Sequence, residues 1–275
     1  MRNDLSIGII GAGNMGSAII RGIIADYPKD KIMINDIDKS KLKIIQDETG
    51  IVISESIDKV IDLSDLLILA VKPDITVNIS AKLKNYPGII ISIAAGISIN
   101  TIKANAGGDK KIVRAMPNAP VNVKAGMTVM SHTNNLSVEE IDFIKSFFSA
   151  VGEVLVMDEK FMNAVTAISG SGPAYLFTFL QAMADGAVKL GIPRSESLIL
   201  ASQTILGSIK IFLDKKENPI SLRDKITSPG GTTIEALNIL ERAGFSGIIM
   251  DAIEAAAKKS KELDNYANST ASKSI

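Results

Sequence analysis

The chain has 275 residues, room for two domains at roughly 100–200 residues each, and its 30 Lys+Arg balance 30 Asp+Glu to a net charge of zero. That balance excludes a polyanion binder as the first reading, because nucleic-acid recognition draws on a basic surplus to displace phosphate counterions; a hydrophobic share of 46% excludes disorder over the whole length. With no Cys and a single His, His132, there are no disulfides, thiolate nucleophiles, Cys-ligated metals or multi-histidine metal sites, so the chemistry falls to carboxylates, amines, hydroxyls, backbone groups or a bound cofactor.

The elements follow in chain order. Leu5–Ile10, Lys31–Asp36, Leu66–Val71, Ile89–Ile93 and Ile112–Met116 are short runs rich in Ile, Leu and Val. Strands buried on both faces read this way, as in a parallel sheet. Amphipathic stretches such as Met15–Ala25 and Ser40–Glu48 lie between them, giving a doubly wound α/β domain. Met127–Met130 and Glu153–Val156 read as closing strands, separated by a helix that opens on the capping box Ser137–Glu140 and runs through Ala150. After Asp158 the texture becomes helical: Phe161–Ile168, Pro173–Leu190, Pro193–Leu213, Thr232–Ala243 and Phe245–Leu263. The expected division is 1–157, a Rossmann-like dinucleotide domain, and 158–275, all-helical. Pro173–Leu190 and Pro193–Leu213 are apolar nearly all round, so they need enclosure; a second chain is the expected cover, with central placement within a monomer as the bland alternative. From Asp264 onward the tail is expected to fray. No apolar stretch approaches the ~20 uninterrupted residues of a membrane helix, and glycines interrupt the N-terminal run, so a cytoplasmic protein with no membrane and no nucleic-acid partner is expected.

Gly11-Ala12-Gly13-Asn14-Met15-Gly16 joins the first strand to a helix. In that setting Gly11 makes the turn, Gly13 admits a pyrophosphate close to the backbone, and Gly16 lets helix and strand pack. The helix N-terminus then offers N–H groups to the phosphates. The acid expected about twenty residues on is Asp36, after Asn35. Its carboxylate suits a ribose 2′-hydroxyl and favours NAD; the competing reading is a cap for the next helix. Ala70-Val71-Lys72-Pro73 ends the Leu66 strand at the ligand edge, Pro73 starting a helix. Lys72 reads equally as a solvated lysine or a cofactor contact, and Ala95, past the Ile89 strand, joins the cofactor set.

Two further segments combine hydroxyls and glycines. Ser169-Gly-Ser-Gly-Pro-Ala-Tyr175 brings backbone close to some neighbour. Ser228-Pro229-Gly230-Gly231-Thr232-Thr233 precedes a helix and reads as an anion nest, with an ordinary N-cap as the bland alternative. Met116-Pro-Asn118-Ala-Pro places Asn118 at the carboxyl edge, where nicotinamide should lie.

Together, residues 11–16, 71–73, 116–120, 169–175 and 228–233 resemble pyrroline-5-carboxylate reductase, in order and to about Leu263. The resemblance implies reduction of 1-pyrroline-5-carboxylate to L-proline with NADPH or NADH, the last step of proline biosynthesis. It implies an interleaved dimer, commonly assembled further into decamers, with the active site shared between one chain's cofactor domain and its partner's helices. Asp36 departs from the Arg or Ser/Thr common in the family there, which raises the expectation for NAD. The substrate carboxylate is assigned to the Gly231 and Thr232 N–H groups and the Ser228 hydroxyl, with Gly230 and Asn118 also in the substrate-binding set. Thr233 is assigned to the ring nitrogen as the catalytic hydroxyl. Glu159 matches an acidic family position near the substrate, or else starts a helix. Alternatives are a reductase of another cyclic imine and a non-catalytic dinucleotide sensor. A β-hydroxyacid dehydrogenase is disfavoured, because Leu176 stands where that family carries its Lys.

Overall fold

A computed structural model describes residues 5–271, with side chains to residue 265. The first part alternates as the apolar runs require: β1 (Ile7–Ile10), α1 (Asn14–Ile23), β2 (Ile32–Asn35), α2 (Lys39–Thr49), β3 (Val52–Ile53), α3 (Ile57–Asp62), β4 (Leu66–Leu69), α4 (Pro73–Ser80), β5 (Ile89–Ser92), α5 (Ile99–Ala106) and β6 (Lys111–Met116). Then come β7 (Gly126–His132), α6 (Val138–Ser149), β8 (Gly152–Val156) and the short α7 (Met162–Val165), which widens into a π turn over Thr166–Gly170. The remainder is α8 (Gly172–Lys189), α9 (Arg194–Lys215), α10 (Pro219–Lys225), α11 (Thr232–Arg242) and α12 (Phe245–Ala271).

The eight strands form one sheet in the order β3-β2-β1-β4-β5-β6-β7-β8. All neighbours are parallel except the antiparallel pair β6–β7. The chain reverses direction across the sheet between β1 and β4, the switch point outside which such sheets bind ligands. Burial on both faces explains the unbroken Ile and Leu runs. Ile7, Ile9, Ile32, Ile34, Leu66 and Ile68 pack toward Ile19, Ile20 and Ile23 of α1, while Ile10, Leu67, Leu69 and Ile90 pack toward Ile79 and Ile102 on the other face. The capping box on α6 is present in both directions, and Ser56 and Ser98 cap α3 and α5.

Backbone contacts group residues 1–170 and 255–275 as one unit and 171–254 as another. In the second unit the enclosure expected for the apolar helices is not supplied by the chain itself. Among its described residues only Ala184, Ser197 and Ala201 are buried, while Phe177 and Ile199 are 69% and 66% exposed. α9 is long and apolar enough, by length and composition, to cross a membrane, with a mean hydropathy of 1.3 over its best window.

The expected fraying from Asp264 does not hold over the described residues: α12 continues to Ala271, Asp264 is buried, and its carboxylate meets Arg114 of β6 at 3.4 Å, while residues 272–275 lie outside the described residues. A buried guanidinium needs carboxylate partners, and Asp264 is one of two.

Candidate functional site

At the carboxyl edge of the sheet the first unit collects the glycine loop after β1, Asp36 after β2, Ala70–Pro73 after β4, the exposed Ala95 after β5 and Asn118 after β6. Gly11 adopts φ +114°, and a Cβ there would lie 2.4 Å from the Ala70 carbonyl. Its N–H donates to the Asn35 carbonyl at 2.8 Å. Gly16 packs against the Gly11 carbonyl. Gly13 differs, because a Cβ there would meet nothing within 4 Å. The chain itself therefore gives no steric reason for glycine at this position, whereas a phosphate approaching the backbone does.

Gly13 is the N-cap of α1 without a side-chain cap, and the first turn carries no acidic residue. The N–H groups of Asn14, Met15 and Gly16 are consequently free of intrahelical partners, the arrangement that binds anions.

Asp36 is not the helix cap; that role falls to Asp38, whose side chain accepts from the Ser40 and Lys41 N–H groups. The hydrogen bonds, first that from the Ser40 hydroxyl, lower the Asp38 pKa. Asp36 instead accepts from the Ala12 N–H at 2.6 Å and the Asp38 N–H at 2.8 Å, tying the glycine loop to the exit of β2. Asn35 enters through its carbonyl; its buried side-chain amide donates to the Ser54 carbonyl. Lys72 caps α4, with Pro73 at the first helical position, and its side chain is exposed.

Asn118 is bound at both ends of its amide. Its Oδ1 accepts from the Met127 N–H at 2.8 Å, and its Nδ2 donates to the Ser169 carbonyl at 3.1 Å. Glu159 opens a short 3-10 helix, Glu159–Phe161, after Asp158, and its carboxylate also reaches other elements. Its Oε1 accepts from the Ile99 N–H at the start of α5 (2.7 Å) and from Arg114 (3.2 Å), and its Oε2 has no partner among the described residues. Arg114, 5% exposed, thus bridges Glu159 and Asp264. Sequence reasoning missed this buried cation, since an Arg inside an apolar strand gives no sign of distant partners.

His132, read from the sequence as a surface histidine, is half-buried. It lines an open cleft of about 1030 Å³ with Lys103, Asp109 and Glu159.

In the second unit, Ser228 to Gly231 form a turn closed by the Gly231 N–H donating to the Ser228 carbonyl at 3.1 Å. Gly230 takes φ +66°, and a Cβ on Gly231 would collide with the Ser228 Oγ. The turn engages the Gly231 N–H that was expected to hold a ligand. Thr232, Thr233 and Ile234 are the first three residues of α11, so their N–H groups have no intrahelical acceptor, and no side chain caps the helix. The hydroxyls of Ser228, Thr232 and Thr233 also lack partners among the described residues. The result is a cluster of backbone and hydroxyl donors, with Arg223 lining a neighbouring cavity beside Thr227 and Ile234.

Comparisons with known proteins agree over nearly the full length. Residues 159–263 match the family described as pyrroline-5-carboxylate reductase dimerisation, and residues 6–96 match NADP oxidoreductase, coenzyme F420-dependent. A pyrroline-5-carboxylate reductase of Escherichia coli K12 is 38% identical over 265 residues, covering 94% of this chain and 98% of the relative. The structure of a pyrroline-5-carboxylate reductase from Coxiella burnetii superposes with a TM-score of 0.89 at 32% identity, covering 94% of this chain and 98% of that one. A Plasmodium falciparum pyrroline carboxylate reductase with NADP bound gives 0.86 at 32% identity, covering 95% and 99%.

Proposed function

Because the chain belongs to the pyrroline-5-carboxylate reductase family, we propose how its own residues carry out that family's reaction. The enzyme reduces 1-pyrroline-5-carboxylate to L-proline with NAD(P)H, closing proline biosynthesis. Gly11 to Gly16 and the α1 N-terminus hold the pyrophosphate, supported by the open space at Gly13 and the uncapped first turn. Asp36 braces that loop and accepts from the ribose. A bound NAD(P)H supplies the hydride.

The substrate carboxylate binds the donors at the start of α11, with the Ser228 and Thr232 hydroxyls beside it. The Gly231 N–H contributes by shaping the turn, and the Thr232 and Thr233 N–H groups take the ligand. The Thr233 hydroxyl bonds the ring nitrogen. A cyclic imine takes up a proton readily, so the protein needs to orient it and exclude water rather than supply a strong acid. Asn118 and Glu159 belong to the rigid frame of the site, with the open Oε2 of Glu159 left to the ligand.

Two chains cover each other's exposed helices as an interleaved dimer, in which one chain's cofactor domain serves its partner's 228–233 loop; decamers built from such dimers complete the assembly. Residues 1–157 provide the cofactor functions and 158–275 the substrate and dimer functions, in the cytoplasm and without membrane or nucleic acid. This division is supported by the match of the dimerisation family from residue 159.

The observation that carries the proposal is the uncapped N-terminus of α11, whose first N–H groups have no side-chain acceptor. Loss of NAD(P)H absorbance on adding 1-pyrroline-5-carboxylate, compared between wild type and Thr233→Ala, tests it. No consumption by wild type with either cofactor contradicts the reaction, and equal turnover of the two proteins contradicts the role of Thr233.

A further inference from the structure

The segment that begins at Ser169 stands out in the sequence, yet the reaction as derived above leaves its hydroxyl without a task. Hydroxyls within the helices of this protein follow a regular habit of donating to the carbonyl four residues back. Thr76 bonds Lys72 at 3.1 Å, Ser80 bonds Thr76 at 2.8 Å, Thr166 bonds Met162 at 2.8 Å, Ser197 bonds Pro193 at 2.9 Å and Ser208 bonds Thr204 at 2.8 Å. Ser169 breaks the habit. Its Oγ is sealed from solvent and has no hydrogen-bond partner among the described residues. The π turn Thr166–Gly170 is the physical reason: each turn is one residue wider than in an α-helix, so the carbonyl four back no longer faces the hydroxyl. A sealed hydroxyl without an acceptor opposes folding, and such groups persist where a function retains them.

The surroundings hold Ser169 in this position. Asn118, two residues beyond β6, donates its Nδ2 to the Ser169 carbonyl at 3.1 Å, while its Oδ1 is fixed by the Met127 N–H. A Cβ on the next residue, Gly170, would lie 2.8 Å from the Met116 Cε, so glycine lets the π turn close against the end of β6. Both clamps fasten Ser169 to the carboxyl edge of the parallel strands, the side on which doubly wound sheets bind their ligands.

We infer that the Ser169 hydroxyl is a hydrogen-bond donor to the carboxamide oxygen of the nicotinamide, and that Asn118 and the π turn position it for that contact. The inference rests on the reading that the carboxyl edge holds the cofactor. The substrate carboxylate already has its donors on α11, which leaves the carboxamide as the neutral oxygen to be fixed. Ser169 as a whole residue is only half-buried, and a serine hydroxyl moves between staggered wells at small cost. One rotation brings it from its sealed position to an arriving ligand.

The test is Ser169→Ala in the full-length protein, read by thermal melting without ligand and by equilibrium binding of NADH, NADPH and ADP-ribose with its 2′-phosphate. Losing an unpaired hydroxyl leaves the melting temperature unchanged or raises it. Binding of the complete cofactors weakens by about three- to tenfold, while ADP-ribose and its 2′-phosphate, which lack nicotinamide, bind as to wild type. Unchanged cofactor affinity, equal weakening of the truncated ligands, or a lowered melting temperature would each overturn the assignment. Wild-type turnover of 1-pyrroline-5-carboxylate, measured alongside, tests the reaction separately, so the two failures are distinguishable.

Discussion

Thr233 is the second residue of α11 and its hydroxyl carries no hydrogen bond among the described residues. It is therefore available to a ligand at no cost to the helix. Thr233→Ala should cut turnover by roughly one to three orders of magnitude if the hydroxyl acts mainly in the transition state, whereas Thr233→Ser should retain most of it; steady-state kinetics at saturating cofactor checks both. Asp36 holds the Ala12 N–H and is proposed to accept from the ribose, so Asp36→Ser should weaken both cofactors while moving the NADH-to-NADPH preference toward NADPH. Wild type is expected to favour NADH, and a strong wild-type preference for NADPH would refute the discriminating role of Asp36. The glycines and Asp36 were legible in the sequence because a strand, a turn and a helix left them few positions to occupy. The binding state of Asn118 was not legible, since an amide at a sheet edge serves a ligand or the backbone equally well and only the partners decide.

At the scale of elements, the strands were readable because burial on both faces demands continuous apolar runs. β3, α3 and α10 escaped notice because two to seven residues are too short for periodicity to register. α5, Ile99–Ala106, is only about two turns long, with Asn100, Lys103 and Asn105 breaking its apolar pattern. The π turn has no residue signature of its own. The join between β6, α5 and α12 was invisible for a different reason: Arg114 and Asp264 stand 150 residues apart, and no local pattern relates them. That join makes a prediction. Arg114→Met leaves Glu159 and Asp264 facing each other without their shared cation, and should destabilise the first unit by about 3–5 kcal/mol. Asp264→Asn, which keeps the shape, should cost clearly less. Urea unfolding followed by circular dichroism measures both, and equal, negligible losses would show that the bridge contributes nothing. The capping box on α6 gives a smaller effect, with Ser137→Ala expected to cost about 1 kcal/mol in the same experiment.

For the whole molecule, the contrast between the units is informative. The sheet has a dense core of its own, while α8 and α9 expose Phe177, Ile199, Leu206 and Ile209 to solvent in the single chain. Continuous apolar helices announced in the sequence that a cover was needed, and the dimerisation family match identifies the kind of cover. Sedimentation equilibrium should find no species smaller than a dimer at micromolar concentration. Phe177→Glu combined with Ile199→Glu should yield monomers that melt lower and turn over little substrate; a fully active monomer would contradict the shared site. The most direct measurement is a crystal structure with oxidised cofactor and L-proline. The proline carboxylate should lie within hydrogen-bond distance of the Thr232 and Thr233 N–H groups, with its ring nitrogen beside the Thr233 hydroxyl; proline bound away from residues 228–233 would contradict the account.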